Sequence, residues 1–188
     1  MTTPLHLAIQ GGHIDAVRLL LEHGANADKK DEYGETPLHI ISYNRRMDMM
    51  QLLLDYGANV EKRDGNRHTS LGRATYMKDI DTMRLLLNYG AKVDALSDGW
   101  TPLRQASGCR YTDGMKLLLD HGVNVNARDS DMRTPLHCTW DIDIMKLLLD
   151  HGADVNAKDK DGYTPLRWGR VHRHPDEIRL LKAYGAYE

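Results

Sequence analysis

The sequence predicts an all-α fold, a solenoid of stacked helix–turn–helix units, and three observations carry that prediction. A tetrapeptide recurs: Thr36-Pro37-Leu38-His39 returns as Thr3-Pro4-Leu5-His6 and Thr134-Pro135-Leu136-His137, with weaker copies at Thr69-Ser70-Leu71-Gly72, Thr101-Pro102-Leu103-Arg104 and Thr164-Pro165-Leu166-Arg167. Its threonines stand at 3, 36, 69, 101, 134 and 164, so the steps are 33, 33, 32, 33 and 30 residues. A second marker, Leu-Leu-Leu-x-x-Gly, keeps the same beat. It ends at Gly24, Gly57, Gly90, Gly122 and Gly152, with a degenerate copy, Leu180-Leu181-Lys182, ending at Gly185. Third, no linker or low-complexity segment interrupts the period. A fixed period of about 33 residues is the signature of units that cannot bury a core alone and stack to do so.

Each unit begins with a threonine suited to the N-cap, whose hydroxyl takes an orphan N–H, and a proline at the first helical position, where a missing donor costs nothing. This starts a short helix A, for example Pro4–Gln10, which Gly11-Gly12 ends. Helix B follows, from about Ile14 to Glu22 in the first unit. Its first turn carries Asp15, Asp48, Asp81, Asp113, Asp143 or Asp176, in favourable interaction with the positive end of the helix dipole rather than as catalytic acids. Three successive leucines span most of helix B and predict that neighbouring helices enclose it. The glycine that follows suits a left-handed C′ position. A charged loop such as Lys158-Asp159-Lys160-Asp161-Gly162 then predicts a β-hairpin-like finger with an exposed tip.

Composition narrows the function classes. Among 188 residues, 25 basic and 27 acidic side chains give a net charge of −2, so no global field draws the chain to nucleic acid or anionic lipid. Hydrophobic residues make up 41% with no phenylalanine, which leaves the core to leucine. Cys109 and Cys138 do not make a disulfide framework. No apolar run has the length of a membrane span, and Met1-Thr2-Thr3-Pro4 enters the first unit directly, so no signal peptide is expected. An intracellular, cytoplasmic protein is expected.

The stretch Gly152-Ala153-Asp154-Val155-Asn156-Ala157-Lys158-Asp159-Lys160-Asp161-Gly162-Tyr163-Thr164-Pro165-Leu166 resembles the ankyrin-repeat consensus almost residue for residue. The resemblance covers the whole chain as one domain, 1–188, of six repeats at about 1–25, 26–58, 59–91, 92–123, 124–153 and 154–188. It implies an ankyrin-repeat solenoid with β-hairpin-like fingers. It further implies a non-enzymatic protein–protein interaction module that binds a protein or peptide through finger tips and the concave face lined by helix A. A stoichiometric inhibitor of a kinase-type enzyme and a targeting segment of a larger effector are the other roles the resemblance allows. The asparagines of Val125-Asn126 and Val155-Asn156 resemble sites that an asparaginyl hydroxylase modifies in such repeats.

Departures from the pattern are local. The fourth repeat loses one residue in its finger, so Asp98-Gly99-Trp100 arrives early. The fifth loses three between its helices, which predicts a short helix A and an N-cap role for Asp141. Arg67 and Met132 replace the finger glycine. Lys182 and Trp168-Gly169-Arg170 soften the sixth repeat, as a terminal cap requires. The first repeat has no such softening. Its open face predicts either preceding sequence or self-association.

Chemistry is sparse. His6, His39 and His137 close the tetrapeptide, and His23, His121 and His151 precede the C-cap glycine. His172 and His174 remain, without the further ligands a zinc site needs. No phosphate loop or nucleophile elbow is present, so no enzyme activity, cofactor or metal is expected. The candidate partner-binding residues are Tyr33, Tyr43, Arg45, Arg46, His68, Tyr76, Lys78, Trp100, Arg110, Tyr111, Arg133 and Trp140, at positions free to vary and rich in the residue types of binding hot spots. Arginines in or after helix A, Arg73 and Arg104 among them, predict a basic inner stripe. Finger carboxylates including Asp31, Asp64, Asp129 and Asp159 predict an acidic ridge beside it.

Overall fold

The computed structural model describes residues 1–187. Its contacts fall into two compact units, Met1–Asp98 and Gly99–Glu188. The first holds α1 (Pro4–Gln10), α2 (Ile14–Glu22), α3 (Pro37–Asn44), α4 (Met47–Asp55), α5 (Ser70–Tyr76) and α6 (Ile80–Asn88). The second holds α7 (Pro102–Gly108), α8 (Thr112–Asp120), a 3₁₀ turn (Pro135–Cys138), α9 (Ile142–Asp150), α10 (Pro165–His172) and α11 (Pro175–Ala183). Within the first unit α1 packs on α2 and α3, and α3 in turn on α4 and α5. Within the second, α7 packs on α8 and the 3₁₀ turn, and α10 on α11.

The caps form as the residues dictate. Thr69, Thr101 and Thr164 each accept the backbone N–H of the residue three ahead, at 3.1, 3.2 and 3.2 Å. In the three His-bearing copies the ring takes a larger share. The N–H of Thr3, Thr36 and Thr134 donates to Nδ1 of His6, His39 and His137 at 3.2, 3.3 and 3.2 Å. A ring that accepts at Nδ1 carries its proton on Nε2. His39 and His137 spend that proton on the following repeat, donating to the carbonyls of His68 and Tyr163 at 3.1 Å each. At the far end of helix B, the glycines after α2, α4, α6, α8, α9 and α11 all have φ between 73° and 87°. There His23, His121 and His151 act by hydrogen bonding: Nδ1 meets the carbonyl of Leu19, Leu117 and Leu147 at 2.8, 2.8 and 2.7 Å.

Repeats that lack the motif are repaired from a distance. Gly72 stands where His39 does, and a Cβ there would collide with Ser97. Ser97 Oγ, from the next finger, accepts the Thr69 N–H at 3.3 Å and does what the ring does elsewhere. The three-residue deletion leaves the fifth helix A as the 3₁₀ turn, with Asp141 capping α9 by accepting from Asp143 and Ile144 at 3.1 and 3.2 Å.

One expectation about the helices needs correction. Helix B is enclosed on all its leucines only in α4, where Leu52, Leu53 and Leu54 are buried; in α2 Leu19 is exposed and only Leu21 of the three is buried. Helix A is the more buried of the two: Pro37–Ser42, Ser70–Thr75 and Pro102–Ser107 are buried along their whole length. The fingers are tight hairpin-like turns, in which the N–H of Asp31, Asp64, Asp129 and Asp159 donates to the carbonyl four residues ahead at 2.9, 2.9, 3.0 and 3.0 Å. No named strand occurs among the described residues, and an isolated antiparallel bridge joins Arg63 to Thr69.

The first repeat leaves apolar side chains open, with Leu7 and Leu19 at 60% and 56% exposure. We expect α1 and α2 to exchange amide hydrogens faster than α5 and α6. Hydrogen exchange that finds the first repeat as protected as the third would contradict this.

Candidate interaction surface

In the second to fourth repeats helix A is buried nearly to its end, so the candidate residues lie at helix ends, in the turns after them and at finger tips. In the first unit, Tyr43 and Tyr76 each stand seven residues after their repeat threonine, at 51% and 64% exposure. Tyr33 at a finger tip is exposed too. Arg45 and Lys78 follow in the left-handed region, at φ 51° and 54°. Arg45 lies 3.8 Å from Asp79, and Arg46 pairs with Asp48 at 3.1 Å. His68 is half-buried, its Nδ1 3.3 Å from Asp64.

The second unit differs. Trp100 is 44% exposed, with one face covered by the Arg104 guanidinium, 3.6 Å from the ring centroid. Arg110 is exposed at φ 52° and 4.0 Å from Asp141. Tyr111 is not a surface residue: it is buried, its ring lying over Gly114, where a Cβ would strike it. Trp140 is half-buried in the place the deletion left, stacked on His174 with centroids 4.4 Å apart and planes 5° apart. Trp168 stacks on His172 at 5.2 Å, so both histidines of the His-x-His pair lie against indoles. Arg133 is partly buried, 5.3 Å from the Trp168 centroid.

Part of the expected basic stripe and acidic ridge is spent inside the protein. Asp31, Asp64, Asp129 and Asp159 are buried, and Oδ1 of each accepts the N–H groups two and four residues ahead, closing the finger turn. Arg73 is buried between Glu35, at 2.8 Å, and Asp64 Oδ2. Arg104 pairs with Asp129 Oδ2 at 2.7 Å. Trp168 fills the place of Arg73 in the last repeat, its Nε1 donating to Asp159 Oδ2 at 2.8 Å. Burial alone would raise the carboxyls of Asp64 and Asp159. The His68 N–H and the Arg73 cation hold Asp64 below its usual range, and the Trp168 and Tyr163 N–H groups do so for Asp159. Burial pushes the Cys138 thiol up and away from nucleophilic use.

The asparagines are committed to the loops. Asn126 donates to the Gly152 carbonyl at 3.1 Å and accepts from the Asp154 N–H at 2.7 Å; Asn156 treats Gly185 and Tyr187 likewise at 3.2 and 3.1 Å. No group of three or more His, Cys, Asp or Glu side chains that could hold a metal occurs among the described residues, and no helix among them is long and apolar enough to cross a membrane.

Comparison with known proteins agrees with the geometry. The profile for "Ankyrin repeats (3 copies)" matches residues 1–64 and 57–129, and that for a single "Ankyrin repeat" matches 131–160. The chain belongs to the ankyrin-repeat family. The ankyrin repeat domain of Bcl-3, described as a unique member of the IkappaB protein family, is 28% identical with a TM-score of 0.91, over 99% of this chain and 87% of that one. An ankyrin repeat domain from Acinetobacter baumannii AYE is 27% identical with a TM-score of 0.89, over 98% of each chain. The human ASB11 ankyrin repeat domain is 26% identical with a TM-score of 0.81, over 99% and 85%. A curated protein of Chlamydomonas reinhardtii, "Zygote-specific protein 3", is 58% identical over 33 residues, which are 18% of this chain and 9% of that protein. Ankyrin-repeat domains are in general protein–protein interaction modules and typically not enzymes.

Proposed function

We propose that this ankyrin-repeat chain is a non-enzymatic module that binds a partner protein or peptide with the ends of its A helices and its finger tips. The observation that carries the reading is the pair Tyr43 and Tyr76, two large rings at one repeat position, both mostly in water. Ring surface left so open contributes little to folding, although one face of Tyr43 is covered by the Arg73 guanidinium at 4.3 Å, and tyrosine is among the residue types enriched in binding hot spots. Arg45 and Lys78 support it. Each occupies a left-handed position where glycine would be unstrained, and the strained residue present is a cation. Trp100 and Arg110 supply the same chemistry in the second unit. Two free cysteines suit an intracellular setting.

The test compares affinity capture from a lysate of the source organism by the wild-type chain and by Tyr43→Ala/Tyr76→Ala, read by mass spectrometry and then by titration with the partner found. The double variant, titrated at a temperature where it is fully folded, should weaken binding by about 2 kcal/mol or more, roughly thirtyfold. Full-strength binding by a normally folded double variant would sink the assignment. If the partner is an enzyme, its activity with the chain added separates inhibitor from adaptor.

A further inference from the structure

We infer that Tyr163 and Arg167 form a docking point for an acidic turn of a partner protein, one that presents an aspartate as this chain's own fingers do. The template lies within the second unit. Trp100-Thr101-Pro102-Leu103-Arg104 places an aromatic ring before the N-cap and an arginine three residues after it. Trp100 covers one face of the guanidinium at 3.6 Å, and the Asp129 carboxylate meets its edge at 2.7 Å. That carboxylate is presented by a tight turn: Oδ1 is held by the N–H groups of Asp131 and Arg133, both at 2.8 Å, which leaves Oδ2 for the arginine.

Tyr163-Thr164-Pro165-Leu166-Arg167 repeats the arrangement. The Tyr163 ring lies under the Arg167 guanidinium at 4.0 Å. Here the arginine is exposed, and no carboxylate among the described residues pairs with it. Beyond the Tyr163 stack, its surroundings among the described residues give it no fold role. It sits in the first turn of α10, where the helix dipole disfavours a cation. Every other residue at this position has a local use: His6, His39 and His137 receive the N-cap N–H, Gly72 admits Ser97, and Arg104 holds Asp129. A planar guanidinium stacked on a ring presents a fixed fork that matches a carboxylate. The occupant the site fits is therefore an aspartate whose own turn has fixed one oxygen. This site does not depend on the tyrosine surface of the first unit, and either can fail alone.

The probe is a cyclised peptide with the sequence of residues 127–135, the turn that Arg104 receives. A second peptide has asparagine in place of Asp129. Titrations into the full chain are followed by NMR at the backbone amides of Tyr163–Trp168 and at the arginine Nε–H signals. Saturable shifts are expected with a dissociation constant on the order of 1 mM, and about tenfold weaker binding for the asparagine peptide and for Arg167→Gln. Arg167→Lys, which keeps the charge without the fork, should fall between. The proposal is overturned by the absence of saturable shifts, by a folded Arg167→Gln chain that binds as well as wild type, or by equal binding of the two peptides. A concentration-dependent dimer of the chain abolished by Arg167→Gln would also overturn it, since the occupant would then be a second copy.

Discussion

Arg73→Ala is expected to destabilise the chain by about 3–5 kcal/mol, the cost of leaving a buried charge without its partner. The guanidinium is 7% exposed and serves four neighbours. It binds Glu35 at 2.8 Å and Asp64, donates to the His39 carbonyl at 3.4 Å, and lies over the Tyr43 ring at 4.3 Å. Truncation leaves the Asp64 carboxylate buried, with the N–H groups of Asn66 and His68 on one oxygen and little beyond the His68 ring on the other. The pair is worth less than that loss, because both ions were taken from water to form it. Asp64→Asn added to Arg73→Ala should therefore recover much of the stability. Urea unfolding of both variants at neutral pH checks this; an Arg73→Ala chain within about 1 kcal/mol of wild type would show the cation to be dispensable.

Acid should unfold the protein through His39. Burial, and then the Arg73 cation, lower its pKa from 6.5 to about 4, against the pull of the His68 carbonyl. The ring must stay neutral, because Nδ1 accepts from Thr36 while Nε2 donates to His68. Above pH 6.5 neither state is protonated there and the stability is whole. Between pH 6.5 and about 4 the unfolded chain binds a proton that the folded chain refuses, so stability falls as pH falls; below about 4 the loss is complete. At about 1.4 kcal/mol per unit the loss comes to about 3–4 kcal/mol. His137, lowered by burial, acts in the same direction. Urea midpoints measured across this range should fall towards acid, and His39→Gln, less stable at neutral pH, should flatten the slope. An unchanged slope in that variant would assign the acid sensitivity to other groups.

The helices were legible because their signals are local. Pro4–Gln10 and Ile14–Glu22 run as the caps and periodicity predict, and Asp141 caps the helix that follows the deletion. A cap reaches three or four residues along the chain, so the tetrapeptide contains what it needs. The candidate surface was only partly legible. Tyr33, Tyr43, Tyr76, Arg45 and Lys78 lie open as expected, but Tyr111 sits in the core and Trp140 is stacked on His174. Arg167 was passed over, although the aromatic-Thr-Pro-Leu-Arg run it shares with Arg104 stands in the sequence.

By itself the sequence determined the repeat, its period and the helices of each unit, which follow from short-range capping and hydrophobic spacing, and it pointed to the family through the resemblance of its motifs. Only the tertiary structure decided which charges are free. Arg73 and Glu35 are 38 residues apart, and the Ser97 hydroxyl that replaces a missing histidine comes from 28 residues away. A side chain's position in a repeat says which face it leaves from. What it meets there is set by the fingers packed against it, which bring Asp64 to Arg73 and Asp129 to Arg104.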